Sequence, residues 1–151
     1  MRFRDAEVAD LPFVLAGLEE NRRLEGRPEA SVVATERDRR EYEQAVATGT
    51  LRVLEEGGQA LGFLSYRLDV EVLYVSPPFL WIDLVFVAEE QRGRGLGRRL
   101  YAEAARLAQE AGCARVVADV FAANAGSAAF HRRLGFAPLY TILELDLQPD
   151  A

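Results

Sequence analysis

Apolar positions in this chain switch repeatedly between a two-residue and a 3.6-residue period, so strands and helices are expected to alternate along it. Met1–Asp5 reads as a short strand. Leu11, Val14, Leu15 and Leu18 then give a helix running to about Leu24 one apolar face. Asp10 is its expected cap, and Pro12 sits in the first turn, where a missing N–H does no harm. Gly26–Ser31 is a loop, and a charged helix from about Thr35 to Ala47 ends at Gly49. The runs Leu51–Glu55 and Ala60–Leu68 read as a hairpin joined through Glu-Glu-Gly-Gly.

Pro77-Pro78 breaks the chain before Phe79–Val87, an almost continuous apolar run interrupted by Asp83. Such a run is the pattern of a strand buried on both faces. The stretch Arg92-Gly93-Arg94-Gly95-Leu96-Gly97-Arg98 opens a helix from about Gly95 to Ala111. Val116–Phe121 is the next strand, Asn124–Leu134 a helix ended by Gly135, and Tyr140–Leu147 alternates as a last strand. No repeat or linker interrupts this order. A chain of 151 residues suffices for one core, and a single domain over residues 1–151 is expected.

Composition narrows the chemistry. With 50% hydrophobic and 28% charged residues, the chain has the mixture of a soluble globular protein. No apolar run approaches the roughly 18 residues of a membrane span, and the Met-Arg-Phe-Arg-Asp start does not resemble a signal peptide. A cytoplasmic location is therefore expected, and the single cysteine, Cys113, fits a reducing compartment. The net charge of −6 argues against a nucleic-acid partner. One cysteine and one histidine leave little for a metal site, and none is expected. All 18 basic side chains are arginine, which excludes a Schiff-base lysine and the lysine of a P-loop.

A strand, a glycine-rich turn and a helix together make an anion cradle, because the helix N-terminus aims free N–H groups at the ligand. Arg92, Arg94, Arg98 and Arg99 add a basic island to an acidic protein. A plain turn with solvated arginines would leave three alternating glycines unexplained. A dinucleotide site has Asp119 in its favour, about 20 residues on. Its glycine spacing is wrong, however, since the third small residue would fall on Arg98.

Arg92-Gly93-Arg94-Gly95-Leu96-Gly97 resembles the pyrophosphate loop of the GCN5-related (GNAT) acetyltransferases, Arg/Gln-x-x-Gly-x-Gly/Ala. Downstream, Asn124, Ser127, Phe130, His131, Leu134, Gly135 and Phe136 resemble the family's Asn-x-x-Ala-x-x-Phe-Tyr-x-x-x-Gly-Phe helix. The order of strands and helices follows over essentially the whole chain. The resemblance implies an α/β (α+β) fold: a mixed, mostly antiparallel sheet of six to seven strands, with the central fourth and fifth splayed, flanked by about four helices.

The same resemblance implies a site. The main chain of Val85, Phe86 and Val87 would hold the pantetheine arm of acetyl-CoA, and one of its N–H groups would polarise the acetyl carbonyl. Arg92, Gly93, Arg94, Gly95, Leu96, Gly97 and Arg98 would form the pyrophosphate loop, with Asn124 near the pantetheine. Asp83, standing where many relatives carry glutamate, is the candidate to bind or deprotonate the amine through water. The bland alternative is a structural carboxylate bonded to the neighbouring strand. His131 occupies the place of the family's tyrosine general acid; imidazole chemistry there competes with simple packing. Cys113 stands at the wrong end of the fifth strand for an acetyl-cysteine intermediate, so direct transfer in a ternary complex is expected.

The expected function is N-acetyl transfer from acetyl-CoA to a primary amine of a small-molecule substrate: a small amine, a polyamine or an amino acid. Tyr66, Tyr74, Phe79, Trp81 and Tyr140 are candidates for an aromatic wall, although core positions suit most of them better. Glu19, Glu20 and Glu25 either face a cationic substrate or form a solvated helix face. A homodimer is expected from family habit alone. The rival reading is a non-catalytic acyl-CoA-binding or regulatory module, supported by the missing tyrosine.

Overall fold

The computed structural model describes residues 1–72 and 75–148. Its strands are β1 (Arg2–Asp5), β2 (Leu51–Glu56), β3 (Gln59–Arg67), β4 (Phe79–Val87) and β5 (Arg115–Ala118), in the sheet order β1-β2-β3-β4-β5. Only the β4–β5 pair is parallel. Gly57 and Gly58 join β2 to β3 with φ of 58° and 81°, the two left-handed residues that a tight hairpin of matching twist requires.

Helices α1 (Leu11–Leu24) and α2 (Glu36–Thr48) precede the hairpin, and α3 (Leu96–Glu110) and α4 (Ala125–Arg133) follow β4 and β5. Thr35 caps α2 by accepting from the Asp38 N–H, and Asp38 returns a bond from the Thr35 N–H. Asp10 does not cap α1 through its side chain. Its carboxylate is taken by the Arg4 guanidinium, at 2.7 and 2.9 Å, and by the Glu7 N–H. It therefore closes the turn before the helix instead.

The sheet is covered on both sides. Leu96, Leu100, Ala104 and Ala108 of α3 pack over Leu54, Leu61, Leu64, Leu80 and Ile82. On the other face, Val14 of α1 joins Leu51, Val53, Phe63, Leu84 and Phe86. β4 serves both faces through an irregularity: Ser65 lies opposite Leu84 and Tyr66 opposite Ile82, so Asp83 is an extra residue. A bulge of this kind bends the strand and shifts its alternation by one. Leu80 and Ile82 consequently face α3, whereas Leu84 and Phe86 face α1.

Two further expectations fail among the described residues. The sheet has five strands rather than six or seven, because Tyr140–Leu147 forms none. Its Ile142, Leu143, Leu145 and Leu147 are 82–87% exposed, and alternation specifies a strand only where one face is buried. β5 is also shorter than Val116–Phe121, ending at Ala118.

Candidate active site

The early end of β5 makes the site. β4 and β5 pair from Phe79–Arg115 to Ile82–Ala118 and no further. The bulge at Asp83 bends β4 just where the pairing stops, leaving the edge from Asp83 to Val87 without a partner from β5. A cavity opens in the wedge, lined by Asp83, Leu84 and Val85 of β4, by Asp119, Val120 and Phe121 beyond β5, and by Asn124, Ser127 and His131. Tyr101 of α3 and Asn21 and Glu25 of the α1 end complete it.

Three carboxylates face this space. Asp83 is held by Arg67 of β3, with Nη2 to Oδ1 at 2.6 Å and Nε to Oδ2 at 3.0 Å. Burial still pushes its carboxyl above the ordinary range, with Arg67 pulling it partly back. Asp119 is raised too, by burial first and by the nearby Glu25. Glu25 pairs with Arg27 at 2.6 Å.

His131 is buried, 8% exposed, inside a nest of rings from Tyr101, Phe130 and Phe136. Its Nδ1 lies 2.7 Å from the Ser127 carbonyl oxygen and 3.3 Å from the Ser127 hydroxyl. A carbonyl only accepts, so Nδ1 carries a proton and donates it. In the neutral ring Nε2 is then the acceptor, and it lies 2.5 Å from the Tyr101 hydroxyl. Burial, reinforced by Asp119, holds the Tyr101 phenol well above the usual tyrosine range.

Beside the wedge, Gly93 and Gly95 turn the chain with φ of 80° and 74°. The first bond shown entering α3 runs from the Arg99 N–H to the Gly95 carbonyl, so the N–H groups of Leu96, Gly97 and Arg98 lack a helical partner. A Cβ built on Gly93 or Gly95 meets nothing within 4 Å. Arg92 is paired with Glu20 and donates to the Val87 carbonyl, and Arg94 is paired with Glu56. Among the described residues, Arg98 and Arg99 carry no ion pair.

The family model for the acetyltransferase (GNAT) family matches residues 18–136. An L-methionine sulfoximine/L-methionine sulfone acetyltransferase of Pseudomonas paraeruginosa is 32% identical over 148 residues, covering 88% of this chain and 78% of that protein. The chain belongs to the GNAT acetyltransferase family. An aminoglycoside N(6′)-acetyltransferase type 1 of Serratia marcescens is 34% identical over 86 residues, 57% of this chain. The match spans only 59% of that relative's length. Two solved structures share the fold. A GCN5-related N-acetyltransferase from Ralstonia eutropha has a TM-score of 0.80 at 22% identity, covering 96% of this chain and 97% of that one. An aminoglycoside N-acetyltransferase in complex with CoA has a TM-score of 0.69 at 21% identity, with coverage of 96% and 98%.

In this GNAT protein Asp83, Val85, Asn124 and His131 meet at one cavity, and the stretch from Arg92 to Arg98 runs from the turn after β4 into the first turn of α3. Asn124 caps α4 by accepting from the Ser127 N–H. Cys113 stays half-buried against the core before β5. Of the candidate aromatic wall, Tyr66 and Phe79 are core, Trp81 and Tyr140 do not line the cavity, and Tyr74 lies outside the described residues. Of the three glutamates only Glu25 reaches the cavity: Glu19 accepts from the Ala34 N–H and Glu20 binds Arg92. Sequence reasoning overlooked Tyr101. Its one signal was a bulky hydroxyl-bearing residue in an alanine- and leucine-rich helix, thirty positions from its partner.

Proposed function

We propose that this protein transfers the acetyl group of acetyl-CoA to the primary amine of a small molecule by direct attack in a ternary complex. The observation that carries this reading is the parting of β4 from β5 at Asp83, beside a turn whose N–H groups are free. The chain suits the cosubstrate. Open space at Gly93 and Gly95, orphan N–H groups from Leu96 to Arg98 and the unpaired Arg98 provide for a diphosphate. Arg92 and Arg94 shape the turn through their ion pairs. The unpartnered edge at Val85, Phe86 and Val87 offers main-chain bonds to a pantetheine arm, and Asn124 closes that end.

Bound there, acetyl-CoA supplies the activated acyl group. Asp83 draws the amine to the wedge and, through water, takes a proton from the arriving ammonium. His131 serves the proton exchange at the departing sulfur. Three carboxylates around the cavity favour a cationic amine. An aminoglycoside and L-methionine sulfone, for which the relatives are named, are the substrates to try first. The rival, a binding module without turnover, rested on the missing tyrosine, and a buried phenol–imidazole pair at the cavity weakens that ground.

Thermal unfolding with acetyl-CoA, CoA, NAD and ATP tests the cosubstrate. Ligand at 100 times its dissociation constant adds about 2.7 kcal/mol, so a raised midpoint is expected with acetyl-CoA and CoA alone. Thiol release across an amine panel tests the transfer, with intersecting initial-rate lines expected. No shift with either CoA species, or parallel lines, would overturn the corresponding part.

A further inference from the structure

The hydrogen-bond geometry around His131 points to a reaction path that the histidine alone does not provide. Its Nδ1–H is committed to the Ser127 carbonyl, and its Nε2 faces the Tyr101 hydroxyl at 2.5 Å. His131 itself lines the cavity, but both of its ring nitrogens are engaged, and the residue over its unprotonated Nε2 lines the cavity too, beside Asp83, Leu84 and Val85. We infer that Tyr101 is the catalytic group that meets the reacting atoms and that His131 is its proton partner, the two forming a shuttle from the amine nitrogen to the thioester sulfur. This inference rests on the acetyl-transfer reading above.

The step balances within the pair. The lone pair of a neutral amine forms the N–C bond to the acetyl carbon, and the C–S bond breaks with its electrons going to sulfur. One proton leaves nitrogen for Tyr101 Oη while the hydroxyl's own proton passes to His131 Nε2. The imidazolium, steadied at Nδ1 by the Ser127 carbonyl, returns that proton through the same hydroxyl to the thiolate. Both residues end as they began. A phenol kept protonated by its buried setting is always ready as a donor. A merely structural role fits less well, because an apolar pair would fill a ring nest without two buried polar groups. The other titratable groups around the cavity are Asp83, Asp119 and Glu25.

Two experiments test the shuttle. The chain has a single histidine, so its nitrogen-15 spectrum needs no assignment. The Nδ1–H tautomer is expected, with an Nε2 resonance that moves in Tyr101→Phe; an Nε2–H ring indifferent to that change would overturn the proposal. In kinetics, Tyr101→Phe keeps the ring and its contacts with Phe130 and Phe136. General acid–base catalysis contributes about 10²- to 10⁴-fold, and a loss of kcat in that range is expected with KM for acetyl-CoA unchanged. His131→Gln should lose as much, and the double variant no more than either. Wild-type kcat and an unchanged pH profile in Tyr101→Phe would overturn the proposal, as would losses that multiply. Failure of the acetyl-transfer reading looks different: no thermal shift of the wild type with CoA and no thiol release.

Discussion

Arg67 and Asp83 are locked together across the β3–β4 pair by two-point contact between guanidinium and carboxylate. The aspartate is the bulged residue of β4 and the arginine the last residue of β3. Their side chains are 27% and 51% exposed respectively, so the arginine keeps water while the carboxylate turns toward the wedge. This answers the cost of one carboxylate in so apolar a run. It also combines the two readings of Asp83, since a carboxylate anchored to the neighbouring strand still lines the cavity.

That anchoring yields a prediction about pH. Burial raises the Asp83 carboxyl and Arg67 lowers it. Arg67→Gln removes the lowering influence, so the carboxyl protonates at higher pH and the acid limb of kcat/KM moves upward. Asp83→Asn should abolish that limb and reduce turnover far more than acetyl-CoA affinity. A limb that stays in place in both variants would separate Asp83 from the reaction.

A second ion pair governs acid stability. Arg22 of α1 grips Asp38 of α2 at 2.8 and 3.0 Å, and Asp38 also accepts from the Thr35 N–H. The folded state holds this carboxyl at about 2, below the free value of 3.8, chiefly through the Arg22 bond. Its stabilisation is therefore present above about pH 4 and fades as the pH falls toward 2. By urea titration, Asp38→Asn should cost about 2 kcal/mol at neutral pH, typical of a charge-assisted bond. The gap from wild type should close in acid. A gap independent of pH would assign the cost to helix capping alone.

Local patterns were legible and long-range ones were not. Phe79–Val87 appears as read, since nine nearly unbroken apolar residues suit a strand covered by α3 and α1. The Gly57-Gly58 turn likewise follows from residues adjacent in the chain, whereas the cap expected of Asp10 gives way to its bonds with Arg4. The bulge at Asp83 depends on the register against Ser65 and Tyr66, which hydropathy does not encode. Val116–Phe121 looked continuous, yet pairing stops at Ala118 because β4 bends away there. The same limit hid the Arg67 contact to Asp83 and the Tyr101 contact to His131, between residues 16 and 30 positions apart. Motif resemblance located the wedge but not the phenol, since the phenol stands outside the motif.

The turn before α3 offers a test that separates binding from folding. Gly95 is left-handed, and a Cβ there meets open space. Gly95→Ala should therefore cost only about 1–2 kcal/mol of backbone strain while intruding where a diphosphate would lie. Gly112, at the other end of α3, has φ of 75° and equally open surroundings, which makes Gly112→Ala a matched control. Calorimetry should show at least a tenfold weaker CoA affinity for Gly95→Ala and none of that loss for the control. Equal affinity in both would remove the turn from the cosubstrate site.

Gly62 and Gly97 should part company although both are packed. A Cβ on Gly62 would stand 2.5 Å from the Phe86 carbonyl oxygen and 3.4 Å from the Val87 Cα. Both are backbone atoms of β4, fixed by the ladder, so Gly62→Ala forces two central strands apart. Overpacking typically costs about 1–3 kcal/mol, and this substitution belongs at or above the top of that range. A Cβ on Gly97 would stand 3.0 Å from the tip of the Phe130 ring, and a ring can tilt. Gly97→Ala should therefore leave the melting temperature nearly unchanged. The displaced ring nevertheless leans edge-on against Tyr101 at 5.7 Å, and Tyr101 carries the bond to His131. A fall in kcat at constant melting temperature is the expected result for Gly97→Ala. Full activity would mean that the ring yields without disturbing the phenol, and that the turn and the proton pair are mechanically independent.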